Sequence, residues 1–274
     1  MKKLFTSLLA LTLIAGCSNG PKPTEGNETI IVGASTSPHA IILESTREAL
    51  KAEGFDLQIK EFDDYIIPNT ALQNDELDAN YFQHEPYLLK FNEDNKTTLT
   101  SVLSVHFEPL GIYAGKDNAT NSQLSVDDIA ENAIIAVPND GTNEARALQL
   151  LESHGIIKLK EGVGLNATIV DIVENPKNVD IKEIEAKGIA ALLPDVDYAV
   201  INGNYALSAN ITDKICVSES SDSEGAQTFA NIVAVKVGNE ETAKTAALKK
   251  VLASAETRAF ITKEFGNLVV PVTE

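Results

Sequence analysis

The chain has 274 residues, and 40 acidic side chains against 22 basic ones give it a formal net charge of −18. Apolar residues make up 43% of it and charged residues 23%, which is typical of a folded globular protein. The negative charge would repel phosphates, so we expect no nucleic-acid partner. Two cysteines are too few for a disulfide framework or a four-thiolate zinc site.

Residues 1–16 have the pattern of an export signal rather than of a folded element. Lys2 and Lys3 precede an apolar run that ends at Ile14 and is too short to span a bilayer comfortably. Two small residues then precede Cys17, which resembles the bacterial lipobox, in which such a cysteine is lipidated and becomes the mature N-terminus. The sequence therefore predicts a lipoprotein signal peptide and an exported chain that is anchored to the bacterial cell membrane through Cys17. The alternative is an ordinary secretory signal followed by a chance cysteine.

Residues 17–28 are polar and contain two prolines and two glycines, so we predict that they form a flexible tether. Lipidation of Cys17 would leave Cys216 unpaired. An unpaired cysteine in an exported protein is usually a small buried apolar residue, and we assign it no function.

The rest of the chain alternates predicted strands with predicted helices. The first set comprises strands at 29–34, 56–62 and 79–82, and helices at 37–53, at 68–77 and from Pro86 onward. The extended segment 99–114 is too long for one strand and contains Pro109. It is therefore predicted to cross between two lobes.

A second set of elements follows a polar loop at 117–122. It comprises a helix start at 125–128, a helix at 142–154, strands at 133–137, 167–173, 181–184 and 198–201, a returning strand at 229–237 and helices within 240–265. We expect an α/β architecture with two lobes, the first formed by 29–111 and 227–274 and the second by 112–226. Ligands of such folds bind at the carboxyl ends of strands, here in a cleft between the lobes.

Three common catalytic motifs are absent from the sequence. It contains no G-x-S-x-G nucleophile elbow, no G-x-x-x-x-G-K-S/T phosphate loop and no H-E-x-x-H zinc motif. We expect a binding protein that uses no cofactor. An exported enzyme whose catalytic groups meet only in the folded state is an alternative, and substrate turnover with a histidine-dependent pH profile would reveal it.

A metal-binding lipoprotein is a further alternative. His39, His84, His106 and Glu108 offer three imidazoles and a carboxylate, a donor set that suits zinc or manganese. No two of them have the spacing of a metal motif, and each histidine could instead be a separate packing or hydrogen-bonding residue.

Asn143 and Arg146 lie at the start of a helix that follows a predicted strand. They are three residues apart and so share one helical face, and the N–H groups of a helix N-terminus attract anions. Arginine is scarce, since only Arg47 and Arg258 accompany Arg146. Arg146 is therefore a candidate for bidentate capture of a carboxylate. The alternative is that it pairs with one of the many acidic side chains.

Aromatic residues concentrate where a predicted strand ends and a predicted helix begins. Phe82, His84 and Tyr87 lie together in the sequence, and Tyr65 precedes another helix start. Because aromatic residues make up only 5% of the chain, this concentration favours an apolar slot with polar edges. The alternative is that these rings simply pack in the core.

Two asparagines stand at the end of, or inside, apolar strands. Asn202 follows the predicted strand at 198–201, and Asn231 lies within the predicted strand at 229–237. A buried amide needs hydrogen-bond partners, which either the protein or a ligand can supply.

Several separate segments, together with the lipobox, resemble the NlpA family, the methionine-binding lipoproteins of bacterial ABC importers. The segments are Asp63–Asn69 (DDYIIPN), Asp78–His84 (DANYFQH), Pro138–Asp140 with Thr142, Asn143 and Arg146, Val173–Pro176 (VENP) and Ala199–Asn202 (AVIN). The resemblance extends from Cys17 to the end of the chain. It implies a two-lobed type II periplasmic-binding-protein fold that closes over one amino acid.

The resemblance also implies roles for individual residues. Tyr65, Phe82 and His84 would surround a thioether side chain, with His106 nearby, and Arg146 would bind the α-carboxylate. Asn143 would lie beside that arginine, and Asn202 and Asn231 would hold the amino and carboxylate groups from the other side.

The same resemblance implies the partners of the chain. The closed, ligand-bound form would dock on a membrane permease driven by a cytoplasmic ATPase. L-methionine is the expected ligand, and D-methionine, a methionine dipeptide or another ligand remain alternatives, because the side-chain pocket does not decide between them.

Overall fold

The computed structural model describes residues 27–116, 118–220 and 227–272. The predicted signal peptide, Cys17 and all but the last two residues of the predicted tether lie outside these ranges. The first strand includes Glu28, one residue before the predicted start of that strand.

Strands and helices alternate through most of the described chain. The strands are β1 (Glu28–Ser35), β2 (Phe55–Phe62), β3 (Ala79–His84), β4 (Leu99–Phe107), β5 (Gly111–Ala114), β6 (Ile134–Pro138), β7 (Lys158–Leu159), β8 (Ile172–Glu174), β9 (Asp180–Ile184), β10 (Tyr198–Ile201), β11 (Ile215–Ser218), β12 (Ala230–Lys236) and β13 (Val270–Pro271). The α-helices are α1 (Ile41–Ser45), α2 (Arg47–Ala52), α3 (Ile67–Gln73), α4 (Glu85–Asn95), α5 (Gly141–Ser153), α6 (Ala186–Leu192), α7 (Gly203–Ser208), α8 (Ala243–Leu252) and α9 (Ala255–Phe265). An irregular segment, Thr36–Ala40, in which Ser37 has extended backbone angles, precedes α1.

The first lobe is built on a six-stranded sheet in the order β13-β4-β12-β3-β1-β2. Strand β1 pairs in parallel with β2 and β3, whereas β12 is antiparallel to β3 and β4. The centre of this sheet is fully buried because Ile30 and Val32 carry no exposed surface. Such a continuous apolar run is typical of a parallel strand that is covered on both faces.

Helices cover both faces of this sheet. Apolar side chains of α1, α2, α8 and α9 pack on one face in a cluster that includes Leu43, Leu50 and Leu248. Helices α3 and α4 pack on the other face through Leu72 and Leu88. The first lobe is therefore a three-layer αβα unit.

The second lobe repeats this arrangement on a five-stranded sheet in the order β11-β5-β10-β6-β9. Strand β6 is parallel to β9 and β10, and β5 is antiparallel to β10 and β11. Helix α5 packs on one face through Leu148 and Leu151. Helices α6 and α7 pack on the other through Ile189 and Ala206. Strands β7 and β8 form a separate two-stranded ribbon.

The chain crosses between the two sheets at Glu108–Leu110, between β4 and β5, and returns to the first sheet before β12. The crossings lie side by side, since Glu219 N donates to Leu110 O at 2.9 Å and Leu110 N donates to Glu219 Oε2 at 2.9 Å. The predicted break at Pro109 coincides with the first crossing. The carboxyl ends of β3, β6 and β10 face the space between the lobes, where α4, α5 and α7 begin.

Three predicted elements differ from the observed ones. The single helix expected at 37–53 is interrupted at Thr46, whose hydroxyl donates to Leu43 O at 2.7 Å and so competes with the helical backbone. The strand expected at 167–173 is a 3-10 turn followed by the short β8, because Thr168 and Asp171 form a capping box. The predicted helix start at 125–128 is likewise a single capped 3-10 turn.

Candidate ligand-binding site

A small cavity lies between the lobes, at the ends of strands from both sheets. Clefts between two lobes are typical sites for small molecules. Its lining consists of Tyr65, Phe82, Gln83, His84, Tyr87, Glu108, Asn143, Arg146, Asn202, Gly203, Asn204 and Asn231.

Aromatic rings form one wall of the cavity. The ring centroid of Tyr65 lies 5.9 Å from that of Phe82 and 5.7 Å from that of Tyr87, both in the first lobe. It also lies 5.0 Å from the ring of Tyr205 in the second lobe. These rings provide an apolar surface whose hydroxyl groups are directed to hydrogen-bond partners.

Two tyrosine hydroxyls connect the lobes at the cleft. Tyr65 Oη donates to Asn204 Oδ1 at 2.6 Å, and Tyr205 Oη donates to the carbonyl oxygen of Asp63 at 3.1 Å. Each bond joins a residue of the first lobe to a residue of α7 in the second lobe. The two bonds therefore stabilise the lobes in the closed arrangement seen here.

Helix α5 begins at the cavity and is capped by Asp140. Asp140 Oδ1 accepts from Asn143 N at 3.0 Å, and its two carboxylate oxygens accept from Asn143 Nδ2 at 2.9 and 3.1 Å. The anion expected at this helix N-terminus is therefore a side chain of the protein itself. Because Nδ2 of Asn143 faces Asp140, its Oδ1 accepts from His84 Nε2 at 3.2 Å and from Asn202 Nδ2 at 2.9 Å.

Arg146, one turn further along α5, is 4% exposed. Its Nε donates to Glu219 Oε1 at 2.7 Å, and its Nη2 donates to Glu219 Oε2 and, at 2.9 Å, to the carbonyl oxygen of Glu108. Its guanidinium carbon lies 4.4 Å from the ring centroid of Phe229. Within the described part of the chain Nη1 makes no hydrogen bond, so this nitrogen can still bind a carboxylate in the cavity.

A buried cluster of His39, His106 and Glu108 lies beside the cavity, which only Glu108 of the three lines. Glu108 Oε1 is 2.8 Å from His106 Nε2 and 3.3 Å from His39 Nε2. His39 Nε2 is also 2.9 Å from Asn231 Oδ1, and His106 Nδ1 is hydrogen-bonded to the hydroxyl of Tyr81. One ligand atom from each member lies within 4.8 Å of the others, so the three could also hold a metal ion.

Burial shifts the protonation of these groups. It lowers the pKa of His39 to about 4 and the pKa values of His84 and His106 to about 3, because the charged imidazolium is poorly solvated there. All three histidines are therefore neutral at pH 7. Burial raises the pKa of Glu108, while the charge of Arg146 opposes that rise.

Residues 30–273 match the NlpA lipoprotein family. The chain belongs to the NlpA lipoprotein family. It is 37% identical to the methionine-binding lipoprotein MetQ of Bacillus subtilis over the full length of both chains. A crystal structure from Ruminococcus gnavus is 50% identical, with a TM-score of 0.85 over 90% of this chain and all of the other. A nutrient-binding protein from Burkholderia cenocepacia bound to methionine is 38% identical, with a TM-score of 0.81 over 89% of this chain and all of the other.

Membership of the NlpA family agrees with the architecture. Two αβα lobes, linked by two crossings and enclosing a cleft, form the two-lobed type II periplasmic-binding-protein fold that the sequence predicted. Among the described residues, no helix combines the length and the apolar character that a membrane span requires.

Seven of the eight residues predicted to bind ligand line one cavity: Tyr65, Phe82, His84, Asn143, Arg146, Asn202 and Asn231. The sequence could not show this convergence, since these residues come from five segments of the chain. Direct contact of each with a ligand stays a prediction.

His106, the eighth predicted residue, does not line the cavity. It is fully buried, with Nδ1 on the Tyr81 hydroxyl and Nε2 on Glu108, so it can act on a ligand only through Glu108. The predicted metal set also needs correction. His84 does not join His39, His106 and Glu108, because its Nδ1 accepts from Tyr87 N at 3.2 Å and its Nε2 donates to Asn143.

Several residues of the site were not predicted as ligand-binding. Gln83, Gly203 and Asn204 lie within or next to the segments that carried the resemblance, so their position in the sequence could have indicated them. Glu219, the partner of Arg146, carries no such signal, because it lies 73 residues away in an otherwise polar segment.

Proposed function

We propose that this protein is the substrate-binding lipoprotein of a bacterial ABC importer and that it captures methionine, with L-methionine as its ligand. The observation that supports this best is a closed cleft whose lining combines the guanidinium of Arg146 with an aromatic wall. A free amino acid with an apolar side chain presents those two features, a carboxylate and an apolar tail. The names of the Bacillus and Burkholderia relatives support methionine in particular.

In this proposal Arg146 binds the α-carboxylate through Nη1. Tyr65, Phe82, His84 and Tyr87 surround the thioether chain, since polarisable sulfur packs well against aromatic rings. Asn202 and Asn231 hold the backbone groups of the ligand from the other side. Asn143 acts indirectly, because its amide already binds Asp140, His84 and Asn202.

The mechanism is capture and delivery without chemical change of the ligand. The lobes close over the ligand, and the ligand stabilises the closed state through contacts that the open state lacks. We propose that the first lobe comprises residues 29–111 and 227–274 and that the second comprises residues 112–226.

After closure, the ligand-bound form docks on a membrane permease driven by an ATPase.

Calorimetric titration of ligand-stripped protein with L-methionine, D-methionine and the dipeptide Gly-Met tests the ligand. We expect L-methionine to bind at one site and more tightly than the other two. Tighter binding of D-methionine or of Gly-Met would show that this molecule, rather than L-methionine, is the ligand. If none of the three binds, the proposed function is refuted.

Membrane anchoring is tested separately. We propose that Cys17 carries the lipid, as the signal preceding it predicts, so Cys17→Ala should move the protein from the membrane fraction to the soluble fraction of the cell. Ligand affinity should be unchanged, because the cavity lies within the described body. Retention of the variant in the membrane fraction would refute lipidation at this residue.

A second candidate function is metal binding, because His39, His106 and Glu108 come within 4.8 Å of one another. Titration of the same protein with zinc chloride in the absence of amino acid tests it. Stoichiometric zinc binding would favour this alternative.

A further inference from the structure

The orientation of the two buried imidazoles follows from their neighbours. Glu108 Oε1, as a carboxylate oxygen, accepts hydrogen bonds, so His106 Nε2 at 2.8 Å carries the proton. The neutral ring then has an unprotonated Nδ1, which accepts from the Tyr81 hydroxyl. His39 Nε2 likewise faces two acceptors, Glu108 Oε1 at 3.3 Å and Asn231 Oδ1 at 2.9 Å, and therefore carries its own proton.

Both histidines thus donate toward the same carboxylate oxygen. A metal ion at this position would need Nε2 unprotonated in both rings, which would move the proton of His39 to Nδ1. That atom is buried and has no hydrogen-bond partner in the described part of the chain. A buried N–H without an acceptor is costly, so the surroundings favour donation to Glu108 over metal ligation.

One acceptor that lines the cavity, the side-chain oxygen of Asn202, has no donor among the described residues. Asp140 fixes the amide of Asn143, whose Oδ1 in turn takes Nδ2 of Asn202 at 2.9 Å. The other end of that amide, Asn202 Oδ1, is then directed away from Asn143. It is buried without a hydrogen-bond partner among the described residues, in a side chain that is 8% exposed and lines the cavity.

The cavity therefore presents a buried carboxylate, whose hydrogen-bond donors are two neutral imidazoles and the backbone N–H of Asn204, and a carbonyl oxygen that has no donor. Glu108 also lies next to the carboxylate subsite, since its main-chain oxygen accepts from Arg146 Nη2 at 2.9 Å. A positive and a negative side chain so close together complement a zwitterion.

We propose that Glu108 and Asn202 form the subsite for the free ammonium group of the ligand, and that His39 and His106 are positioning residues that hold Glu108 there. This proposal rests on the proposed function and deepens it. It restricts the ligands to molecules with a protonated amine next to a carboxylate. The groups that face the Glu108 carboxylate are His39, His106 and the backbone N–H of Asn204, with Arg146 close by.

Two ligands that differ only in the amino group test the proposal. Calorimetry of the wild-type protein with L-methionine and with its α-hydroxy analogue, 2-hydroxy-4-(methylthio)butanoate, gives the affinity ratio for ammonium over hydroxyl. We expect a ratio of about 100 or more, because the neutral hydroxyl of the analogue cannot offset the charge of the buried carboxylate. In Glu108→Gln the ratio should fall to about ten or less, since the neutral amide no longer favours a cation.

Glu219→Gln is the matched control. It removes the same charge from the neighbourhood of the cavity, but its partner Arg146 faces the carboxylate that both ligands share. In Glu219→Gln the affinities for L-methionine and for the hydroxy analogue should change by the same factor. The ratio of the two affinities should therefore stay at the wild-type value. An equal fall of the ratio in Glu219→Gln would mean that general charge, rather than contact with Glu108, causes the discrimination, and would overturn the proposal.

His106→Gln tests the positioning role through the same ratio. A merely structural role would weaken both ligands alike, whereas loss of the donor to Glu108 should lower the ratio below that of the wild type. If Glu108→Gln does not give a folded protein by circular dichroism, Glu108→Asp withdraws the carboxylate by one methylene and should also lower the ratio.

The results separate this inference from the proposed function. A wild-type protein that binds methionine with a ratio near one, or whose ratio is unchanged in the Glu108 variant, overturns the inference alone. A wild-type protein that binds neither ligand overturns both. Stoichiometric binding of zinc chloride that is lost in Glu108→Gln and His106→Gln would overturn the inference in favour of a metal site.

Discussion

The Arg146 side chain can bond to neighbouring protein groups and bind a ligand carboxylate at the same time. Its Nε and Nη2 are held by Glu219 and by the carbonyl of Glu108, which fixes the plane of the guanidinium before any ligand arrives. Contact with the Phe229 ring adds to this constraint. The two interpretations left open by the sequence, an ion pair and a carboxylate-binding residue, are therefore compatible. A fixed guanidinium loses little conformational entropy on binding.

Arg146→Ala should weaken methionine binding by about 2 kcal/mol or more, because a charge-assisted contact in a buried site is lost. Calorimetric titration measures the change, and urea unfolding shows whether the unpaired Glu219 also destabilises the fold. Arg47→Ala is the control, since Arg47 is 41% exposed and pairs with Glu44 on a helix surface. Unchanged affinity in Arg146→Ala would show that the ligand does not use this side chain.

At the scale of elements, the site depends on how closely strand and helix ends approach each other. Gly203 opens α7 directly against Glu108, and a Cβ there would lie 3.0 Å from Glu108 Cβ and Oε2. Gly115 follows β5, and a Cβ there would lie 2.2 Å from the carbonyl oxygen of Val196 and 2.5 Å from that of Leu193. Both glycines are needed for lack of space rather than for an unusual backbone conformation.

Gly115→Ala should destabilise the protein by about 1 to 3 kcal/mol, because two backbone carbonyls would have to move. Urea unfolding followed by circular dichroism measures the change. Gly188→Ala, inside α6, is the matched control: its nearest contact would be Ile184 Cγ2 at 3.7 Å, so the change should be neutral or stabilising by up to about 1 kcal/mol. Equal stability of the two variants would contradict the packing argument.

At the scale of the whole molecule, the two lobes behave as bodies joined at two crossings and held together across the cleft. Among the described residues, the side-chain hydrogen bonds across that cleft include Tyr65–Asn204 at 2.6 Å, Tyr205 to the carbonyl oxygen of Asp63 at 3.1 Å and His84–Asn143 at 3.2 Å. Closure therefore depends on polar contacts of this kind together with the ligand. This is the balance expected of a protein that must also open to release its ligand.

Tyr65→Phe should shift the ligand-free protein toward the open form and reduce methionine affinity by about 1 kcal/mol, since it removes one hydrogen bond between the lobes and keeps the ring. Small-angle X-ray scattering of the ligand-free protein and calorimetry measure the two effects. Tyr198→Phe, which removes a hydroxyl within the second lobe and away from the cavity lining, is the control. A radius of gyration and affinity equal to the wild type in Tyr65→Phe would argue against a role in closure.

The buried histidines make the stability of the whole fold sensitive to acid. The pKa of His39 is lowered to about 4 and those of His84 and His106 to about 3, whereas the unfolded chain takes up these protons near pH 6.5. Their contribution to stability is therefore complete above pH 6.5. It is lost as the pH falls toward 4 and 3, by up to about 1.4 kcal/mol per pH unit for each histidine. The raised pKa of Glu108 acts in the opposite direction and reduces the loss.

The free energy of unfolding in urea should accordingly decrease from pH 7 to pH 5 in wild-type protein. His154→Gln, which removes a histidine outside the cavity and the buried cluster, should show the same decrease. A stability that stays constant between pH 7 and pH 5 would contradict neutral burial of these three side chains.

The sequence by itself determined the class of architecture, the order of most elements and the identity of most cavity residues. Strand and helix periods are local, so β1, β10 and α5 could be predicted from apolar runs and end signals. Recurrence of family segments indicated Tyr65 and Asn202 without any knowledge of their distance. The interruption at Thr46 and the turn at Thr168–Asp171 were missed, because a side chain there competes with the backbone and the apolar pattern does not record it.

Only the tertiary structure decided how the polar groups pair. The contact of Arg146 with Glu219, the separation of His84 from the cluster of His39 and His106, and the position of Glu108 at the cavity all join residues that are far apart in the chain. No local pattern encodes such pairs. They arise because two sheets bring their strand ends to one cleft, where each buried donor or acceptor must find a partner from whichever segment lies opposite.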